Sequence, residues 1–598
     1  MKPARSDFAI LALLIVGAFA LTLPGFFSPT TASGPWVVDN VLNHLRETTL
    51  HSTVFYYPML QANAVAAAIV AYLGAGLAAG AWTWPEVWAR LLDPFQFMGV
   101  AKAVSFVFGA IAIVATYFLG RRLLDRRAGL LAAAILAGAP TFARYCSEPV
   151  PDAALAAMAA IASVFLLAVL QEPTRRNYAL CGLFLGLAVS AKYNAAVLAV
   201  AGLFVHVWLW RARRAPLRRL IDSNLLTAVP AALLAFGLTS FQVLLQPREF
   251  FGYLLGYLPD ATRSSGWMTN FVPWLSHLKV CFASEGGIAL LFAAGILFAL
   301  WKRSPATLTL LAAVLLAFAY MGRWEKVFMR YYLFVYPALA ALAAAAVFYA
   351  GDRLPSKIRR APVLVALALL GWTVIPRVQP ARLSLSDTRD LARAWIESNI
   401  PSGAVIAGPV TPEGYPTLLS HSVVARYLDA TVPAGLRPEV ERALATRPTY
   451  HLRSLSFKRP TPRFPPEWPA DVRARYERNA YARNVASEDV SLSHLRGKGV
   501  RFIVLSSYWD PGPGRGLPPY DLRSIRSQRF HRFYTYLRGI PPEQARDGIR
   551  HLVAFPGPHQ SVTGPTIRIF AFEDSAPQPA AGLHASAVKP SPHAVHQP

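Results

Sequence analysis

The sequence predicts a polytopic α-helical membrane protein with about eleven transmembrane helices, followed by a soluble α/β C-terminal domain. Three observations carry this. Of the 598 residues, 54% are hydrophobic and only 15% are charged, whereas a soluble chain is about a quarter charged. Apolar stretches fill residues 8–376, too much for one soluble core. Lys and Arg outnumber Asp and Glu by 59 to 33, but before residue 377 the basic residues cluster in short loops between apolar stretches. That placement argues against nucleic acid as the partner of the positive charge and for a lipid bilayer. Three cysteines (Cys146, Cys181, Cys281), with no CxxC and no Cys/His cluster, exclude a disulfide scaffold and a thiolate zinc site.

Crossings of near 20 apolar residues, or somewhat fewer, are predicted at 8–27, 102–120, 128–145, 151–170, 178–191, 193–210, 223–245, 285–301, 305–321, 331–350 and 361–376. Basic clusters then fall on alternate loops: Lys2/Arg5, Arg121/Arg122/Arg126/Arg127, Arg175/Arg176, Arg211/Arg213/Arg214/Arg218/Arg219, Lys302/Arg303 and Arg353/Lys357/Arg359/Arg360. These 19 cations face 11 on the other side, spread through longer loops, so the first side reads as cytoplasmic. The apolar stretch 58–81 must not cross, because crossing would invert every later cluster. It reads as an interfacial or re-entrant helix. Residues 8–27 fit a first crossing or a signal peptide, with Thr-Ala-Ser-Gly after it as a cleavage site. The loop 28–101 and the region 377–598 are therefore expected outside. An Ala/Arg-rich composition points to a bacterium, hence to its cytoplasmic membrane.

Two carboxylates are expected at the outer face, where ionisable groups are costly and often functional. Asp39 lies in Pro-Trp-Val-Val-Asp-Asn, and Asp152 opens the fourth helix after Pro151. The ordinary reading of Asp152 is a helix N-cap, and that of Asp39 a solvated loop residue. Arg144, Lys192, Arg323, Lys326 and Arg330 are expected on the same face. Each has a bland reading as an interfacial anchor. Together they suit one chemistry: a carboxylate deprotonates an acceptor hydroxyl while cations hold a phosphate leaving group.

Several segments then resemble a known family. The stretch 101–140, with Tyr-Phe-Leu-Gly-Arg-Arg-Leu-Leu-Asp-Arg-Arg-Ala-Gly at its centre, is similar to the second and third helices of bacterial GT-C glycosyltransferases. These are relatives of protein O-mannosyltransferases and lipid A aminoarabinose transferases. Tyr-Tyr-Pro-Met-Leu (56–60) resembles their His-Pro-Pro-Leu segment. Residues 183–194, ending Val-Ser-Ala-Lys-Tyr-Asn, resemble their Thr-Lys-Tyr segment, and Arg-Tyr-Tyr-Leu-Phe-Val-Tyr-Pro (330–337) resembles their Arg-Tyr…Pro segment.

The resemblance implies a GT-C type fold and an inverting sugar transfer from a polyprenyl-phosphate-linked donor to a glycan, lipid or protein acceptor. It places Asp39 as general base and Asp152 as the second catalytic carboxylate. Lys192, Arg330, Lys326 and Arg144 would contact donor phosphate. Asn40, Tyr57 and Tyr331 would position the acceptor or the loop. The family's Asp-Glu pair is Asp39-Asn40 here, its Pro-Pro is Tyr57-Pro58, and its Arg at the second helix is Lys102. The missing second carboxylate weakens metal binding at the loop. No cofactor is certain, and a divalent metal is possible. It also keeps a non-catalytic or polymerase/ligase-type glycan-assembly protein as the alternative, ahead of a transporter.

The external domain is expected over 377–574. Asp387–Ile400 reads as an amphipathic helix, and 499–507 and 566–572 as strands. Helix and strand in alternation suggest a small α/β domain. The Pro-rich runs 455–470 and 510–520 read as loops, and 575–598 as a disordered tail.

Overall fold

Runs of Ala, Leu, Val and Phe must satisfy their backbone groups internally to sit in lipid, and helices do this. In a computed structural model these runs form α1 (Arg5–Phe26), α2 (Trp36–Arg46), α3 (Leu60–Ala78), α4 (Trp84–Leu91), α5 (Met98–Leu123), α6 (Arg126–Gly138), α7 (Pro140–Cys146), α8 (Asp152–Gln171) and α9 (Arg175–Ala191). They continue as α10 (Val197–Ala212), α11 (Leu225–Thr239), α12 (Phe241–Leu245), α13 (Val272–Glu285), α14 (Gly287–Lys302), α15 (Pro305–Met321), α16 (Tyr336–Gly351) and α17 (Ala361–Leu383). The structure describes residues 5–26, 36–52, 55, 57–214, 216, 221–252, 254, 272–324, 327–383, 386–408, 414–455, 487–488, 491–507, 525–555, 562–563 and 565–575. Lys326, the two Pro-rich runs apart from Leu455, and the tail beyond 575 lie outside them.

The expected count of about eleven crossings is not confirmed. Among the described residues six helices are long and apolar enough to cross: 6–23, 60–78, 94–123, 152–171, 193–212 and 329–351. A seventh results if α6 and α7, bent by 68°, form one broken span. Apolar composition does not register breaks. Pro140 splits the stretch 128–145, and Ser240 ends α11 after 15 residues. The stretches 225–239, 287–302, 305–321 and 361–376 are shorter apolar helices.

The bundle has two distinct ends. At one, the buried Asp7 of α1 accepts from the Tyr117 hydroxyl at 2.6 Å and pairs with Arg126. There too Arg127 and Arg359 both meet Asp352, at 3.0 and 2.6 Å, and Arg353 and Lys302 lie over the Tyr349 ring. The basic loops therefore gather at one end. Helix α1 starts where α5 finishes, and Phe19 meets Phe106 further along, so the two run antiparallel. The chain leaves α1 and enters α5 at the opposite end. Helix α3, expected to lie at the interface, is apolar and 19 residues long, which counts it among the helices able to cross.

Helix α9 packs on α11 through small residues. A methyl added at Gly182 or Gly186 would fall on the carbonyl oxygens of Ala228 or Ala232. This close approach at i, i+4 spacing is a standard way for helices to associate in lipid. It fixes the end of α9, where Lys192 sits.

Beyond α17 the chain forms a sheet-containing domain. Its helices are α18 (Thr388–Asn399), α19 (His421–Thr431), α20 (Arg437–Leu444), α21 (Leu492–Gly497) and α22 (Ile525–Arg538). Its strands are β1 (Ser386–Asp387), β2 (Val405–Gly408), β3 (His451–Leu455), β4 (Ser487–Glu488), β5 (Phe502–Ser506), β6 (Ala545–Arg546), β7 (Ile549–Phe555), β8 (Val562–Thr563) and β9 (Ile567–Phe572). Seven strands run in the order β4-β3-β2-β5-β9-β7-β6, with β1 and β8 paired separately. Strands β2 to β5 are mutually parallel, whereas β9 is antiparallel to β5 and β7. Fully buried Ile406, Val504, Ile569 and Ala571 pack one face against Ala392 and Ile396 of α18. Ile503 and Phe570 pack the other against Tyr534 and Leu537 of α22.

This domain docks on the end of the bundle opposite the basic loops. Ala89 and Leu92, at the end of α4, share an apolar cluster with Val423, Val424 and Tyr427 of α19 and Val440 of α20. Beside it Arg447 forms an ion pair with the buried Asp93.

Candidate active site

Three chain segments meet at this same end. Helix α9 stops at Lys192, the turn 193–196 reverses the chain, and α10 follows. Helix α8 begins at Asp152 after Pro151. A 3-10 segment, Met329–Val335, carries Arg330 and Tyr331 into α16. Hydrogen bonds fix their mutual positions. Asn194 Nδ2 donates to the Tyr331 carbonyl at 3.1 Å. Ser190 and Ser240 hydroxyls share a 2.6 Å hydrogen bond, and Ser240 Oγ also accepts from the Met59 amide at 3.0 Å. The last contact ties the Tyr57-Pro58-Met59 segment to the end of α9.

At the centre, Lys192 Nζ donates to Asp152 Oδ1 at 2.8 Å. Asp152 is fully buried and the Lys192 side chain is 7% exposed. The other carboxylate oxygen, Oδ2, is buried and has no hydrogen-bond partner among the described residues. Asp152 is not a cap: no side-chain capping bond forms at the start of α8. Its charge instead sits in the first turn, where the helix dipole favours it. Lys192 Nζ lies 5.1 Å from the Tyr57 ring centre and 5.0 Å from that of Tyr331, close enough for cation–π attraction. The Arg330 guanidinium lies 5.8 Å from the rings of Tyr145 and Tyr331 and 5.3 Å from Phe328. Two cations and one carboxylate thus share a cluster walled by aromatic rings. Cations in such a setting are suited to a phosphate.

Asp39 stands apart from this cluster and makes no hydrogen bond to it among the described residues. It lies on α2, whose apolar face (Val37, Val38, Val41, Leu42) is buried against Phe55, Met59 and Met98. Burial pushes the Asp39 carboxyl up to about 7, against the opposing charge of Arg46. A carboxylate half-ionised near neutrality has the proton affinity of a general base. Asn40 is buried and its amide lies 3.8 Å from Met59 Sδ, so it braces the segment that carries Tyr57.

Of the residues expected from the sequence, Asp152, Lys192, Arg330, Tyr57 and Tyr331 are brought together. Arg144 is exposed, and its guanidinium lies 5.7 Å from the centre of the Tyr145 ring, which Arg330 also faces. Lys326 lies outside the described residues. Sequence reasoning missed Tyr145, Asn43, Arg46 and Tyr427. A signal for two of them existed: Asp39, Asn43 and Arg46 recur at i, i+4, i+7, one polar stripe of α2. Among the described residues no three His, Cys, Asp or Glu side chains gather as metal ligands. Asp152 already faces a cation, Lys192.

The model of the dolichyl-phosphate-mannose-protein mannosyltransferase family matches residues 97–241, which hold α5 through Lys192 to the end of α11. Two solved structures share the architecture across nearly the whole chain. ArnT from Cupriavidus metallidurans, bound to undecaprenyl phosphate, is 14% identical and covers 95% of this chain and 98% of its own, with a TM-score of 0.50. This is the GT-C fold of membrane glycosyltransferases. The archaeal oligosaccharyltransferase AglB from Archaeoglobus fulgidus, in complex with an inhibitory peptide and a dolichol phosphate, is 13% identical. It covers 92% of this chain and 80% of its own, with a TM-score of 0.50. No curated protein sequence matches the chain. At these identities the GT-C likeness is one of fold, and with its spanning helices the chain is a multi-pass membrane protein.

Proposed function

We propose that the chain is an inverting glycosyltransferase of the bacterial cytoplasmic membrane, using a polyprenyl-phosphate-linked sugar at the outer face. The basic loops face the cytoplasm, and the loop 28–101 and the domain 377–574 lie outside. The observation that carries this reading is the buried Lys192–Asp152 pair with Arg330 beside it. Taking three charges out of water is costly unless they serve a ligand or each other. Here two cations lie among aromatic rings, at the end of the bundle where a lipid phosphate would lie.

In the step proposed, the acceptor hydroxyl oxygen attacks the anomeric carbon from the face opposite the phosphate. The bond from that carbon to the phosphate oxygen breaks, and the polyprenyl phosphate leaves with the electron pair. Lys192 and Arg330 stabilise the charge developing on it. Asp39 takes the acceptor proton. Asp152 holds Lys192 in place, and its free Oδ2 is an acceptor for a hydroxyl of the donor sugar. The sugar phosphate carries its own activation, so no nucleotide is needed.

Undecaprenyl phosphate binding to the purified full-length protein tests this. Lys192→Ala and Arg330→Ala are expected to weaken binding at least tenfold, as loss of a charge-assisted phosphate contact does, while Asp39→Asn leaves it unchanged. Undiminished binding in both cation variants would overturn the donor site.

A further inference from the structure

The contacts of α2 with the C-terminal domain go beyond docking. Tyr427 on α19 donates from its hydroxyl to Asn43 Oδ1 at 3.0 Å. Arg46 Nη1 donates to the same oxygen at 3.2 Å, and Arg46 Nε donates to the Leu91 carbonyl at 2.6 Å. The Arg46 guanidinium lies 4.3 Å above the Tyr427 ring. All three side chains are buried. Asp39, Asn43 and Arg46 occupy one stripe of α2, so the charge of Arg46 faces Asp39 along the helix.

We propose that Tyr427 is a positioning residue for transfer: the C-terminal domain, through this tyrosine, holds Arg46 where its positive charge faces Asp39. The external domain is then a working part of the transfer site rather than a separate module. The inference rests on the reading of Asp39 as the base. The other charged or titratable groups at this seam are Glu47 and His44 on α2 and just beyond it, Arg426 on α19, Arg90 on α4, and the Asp93–Arg447 pair. Of these, Glu47 acts on both Arg46 and Tyr427, whereas Arg90 is turned to the Trp82 ring and Gln96. Neither replaces Arg46 as the cation facing Asp39.

The test is an infrared pH titration of the Asp39 carboxyl in the full-length protein, read as the difference between each protein and its Asp39→Asn counterpart. In the wild type the midpoint is expected near 7. Seven residues set Arg46 about 10 Å from Asp39 along the helix. Removing its charge with Arg46→Met is therefore expected to raise the midpoint by about one pH unit. Tyr427→Leu is expected to raise it by less, because Arg46 is released toward water, and Tyr427→Phe to restore part of the shift through the ring. A midpoint that Tyr427→Leu leaves unmoved or lowers overturns the proposal, even if the variant melts earlier. Transfer that survives Asp39→Asn with the titration shifts intact would instead overturn the base reading and leave the coupling standing.

Discussion

Lys192 Nζ sits 2.8 Å from Asp152 Oδ1, and neither side chain has more than marginal contact with solvent. The pair joins the end of α9 to the start of α8 and sets the position of the cation beside Arg330. Lys192→Ala removes the hydrogen-bonded counter-charge of a buried carboxylate, a change that costs about 3–5 kcal/mol in buried pairs. The double variant Lys192→Met/Asp152→Asn removes both charges and is expected to recover most of the lost thermal stability but none of the phosphate binding. A melting curve together with undecaprenyl phosphate binding checks this. Recovery of binding in the double variant would show that the pair serves packing alone.

Asp39 carries a pH signature in both activity and stability. A base must be ionised, so transfer is expected to fall as pH drops through about 7, the value to which burial raises this carboxyl. Stability runs the opposite way. The folded-state value is raised, so the folded chain binds this proton more tightly than the unfolded one. The contribution to stability is full below the unfolded value near 4 and is lost as pH rises toward 7. Asp39→Asn is therefore expected to melt higher than the wild type at pH 8 and to show little difference at pH 4. Equal melting temperatures at pH 8 would contradict the burial argument.

Much of this was legible in the sequence, for physical reasons that also explain what was not. The basic loops, the apolar stretches and the end on which Asp152, Lys192 and Arg330 would lie follow from charge placement, because lipid imposes that placement. The breaks within the helices were not legible, since Pro140 and Ser240 interrupt stretches whose composition looks continuous. The role of Tyr427 could not be read at all. It depends on a contact between residues 384 positions apart, and no local pattern encodes that.

The packing of α9 on α11 predicts a positional effect on the site. Gly186 lies six residues before Lys192 and leaves no room for a side chain against Ala232. Gly186→Leu is expected to push the helices apart, lowering the melting temperature by several degrees and weakening phosphate binding although the residue touches no ligand. Gly74, in open space on α3, supplies the control: Gly74→Ala is expected to change neither. Wild-type binding and melting in Gly186→Leu would mean that α9 is held by other contacts.

The docking of the C-terminal domain rests on an apolar cluster and on the Arg447–Asp93 pair. Asp93 also accepts from the Phe95 amide at 3.1 Å, so it shapes the entry to α5. Arg447→Ala is expected to loosen the seam, seen as faster proteolytic release of the C-terminal domain from the membrane-embedded protein. Unchanged release would assign the docking to the apolar cluster and the Tyr427 contacts with Asn43 and Arg46.

The central claim is that this chain transfers a sugar with Asp39 as base. The most direct measurement compares membrane glycans and lipids of a deletion strain carrying the wild type, Asp39→Asn or Lys192→Ala, each at equal membrane level. The account predicts a glycosylated product that deletion removes, that the wild type restores, and that neither variant restores. Full restoration by Asp39→Asn would contradict it.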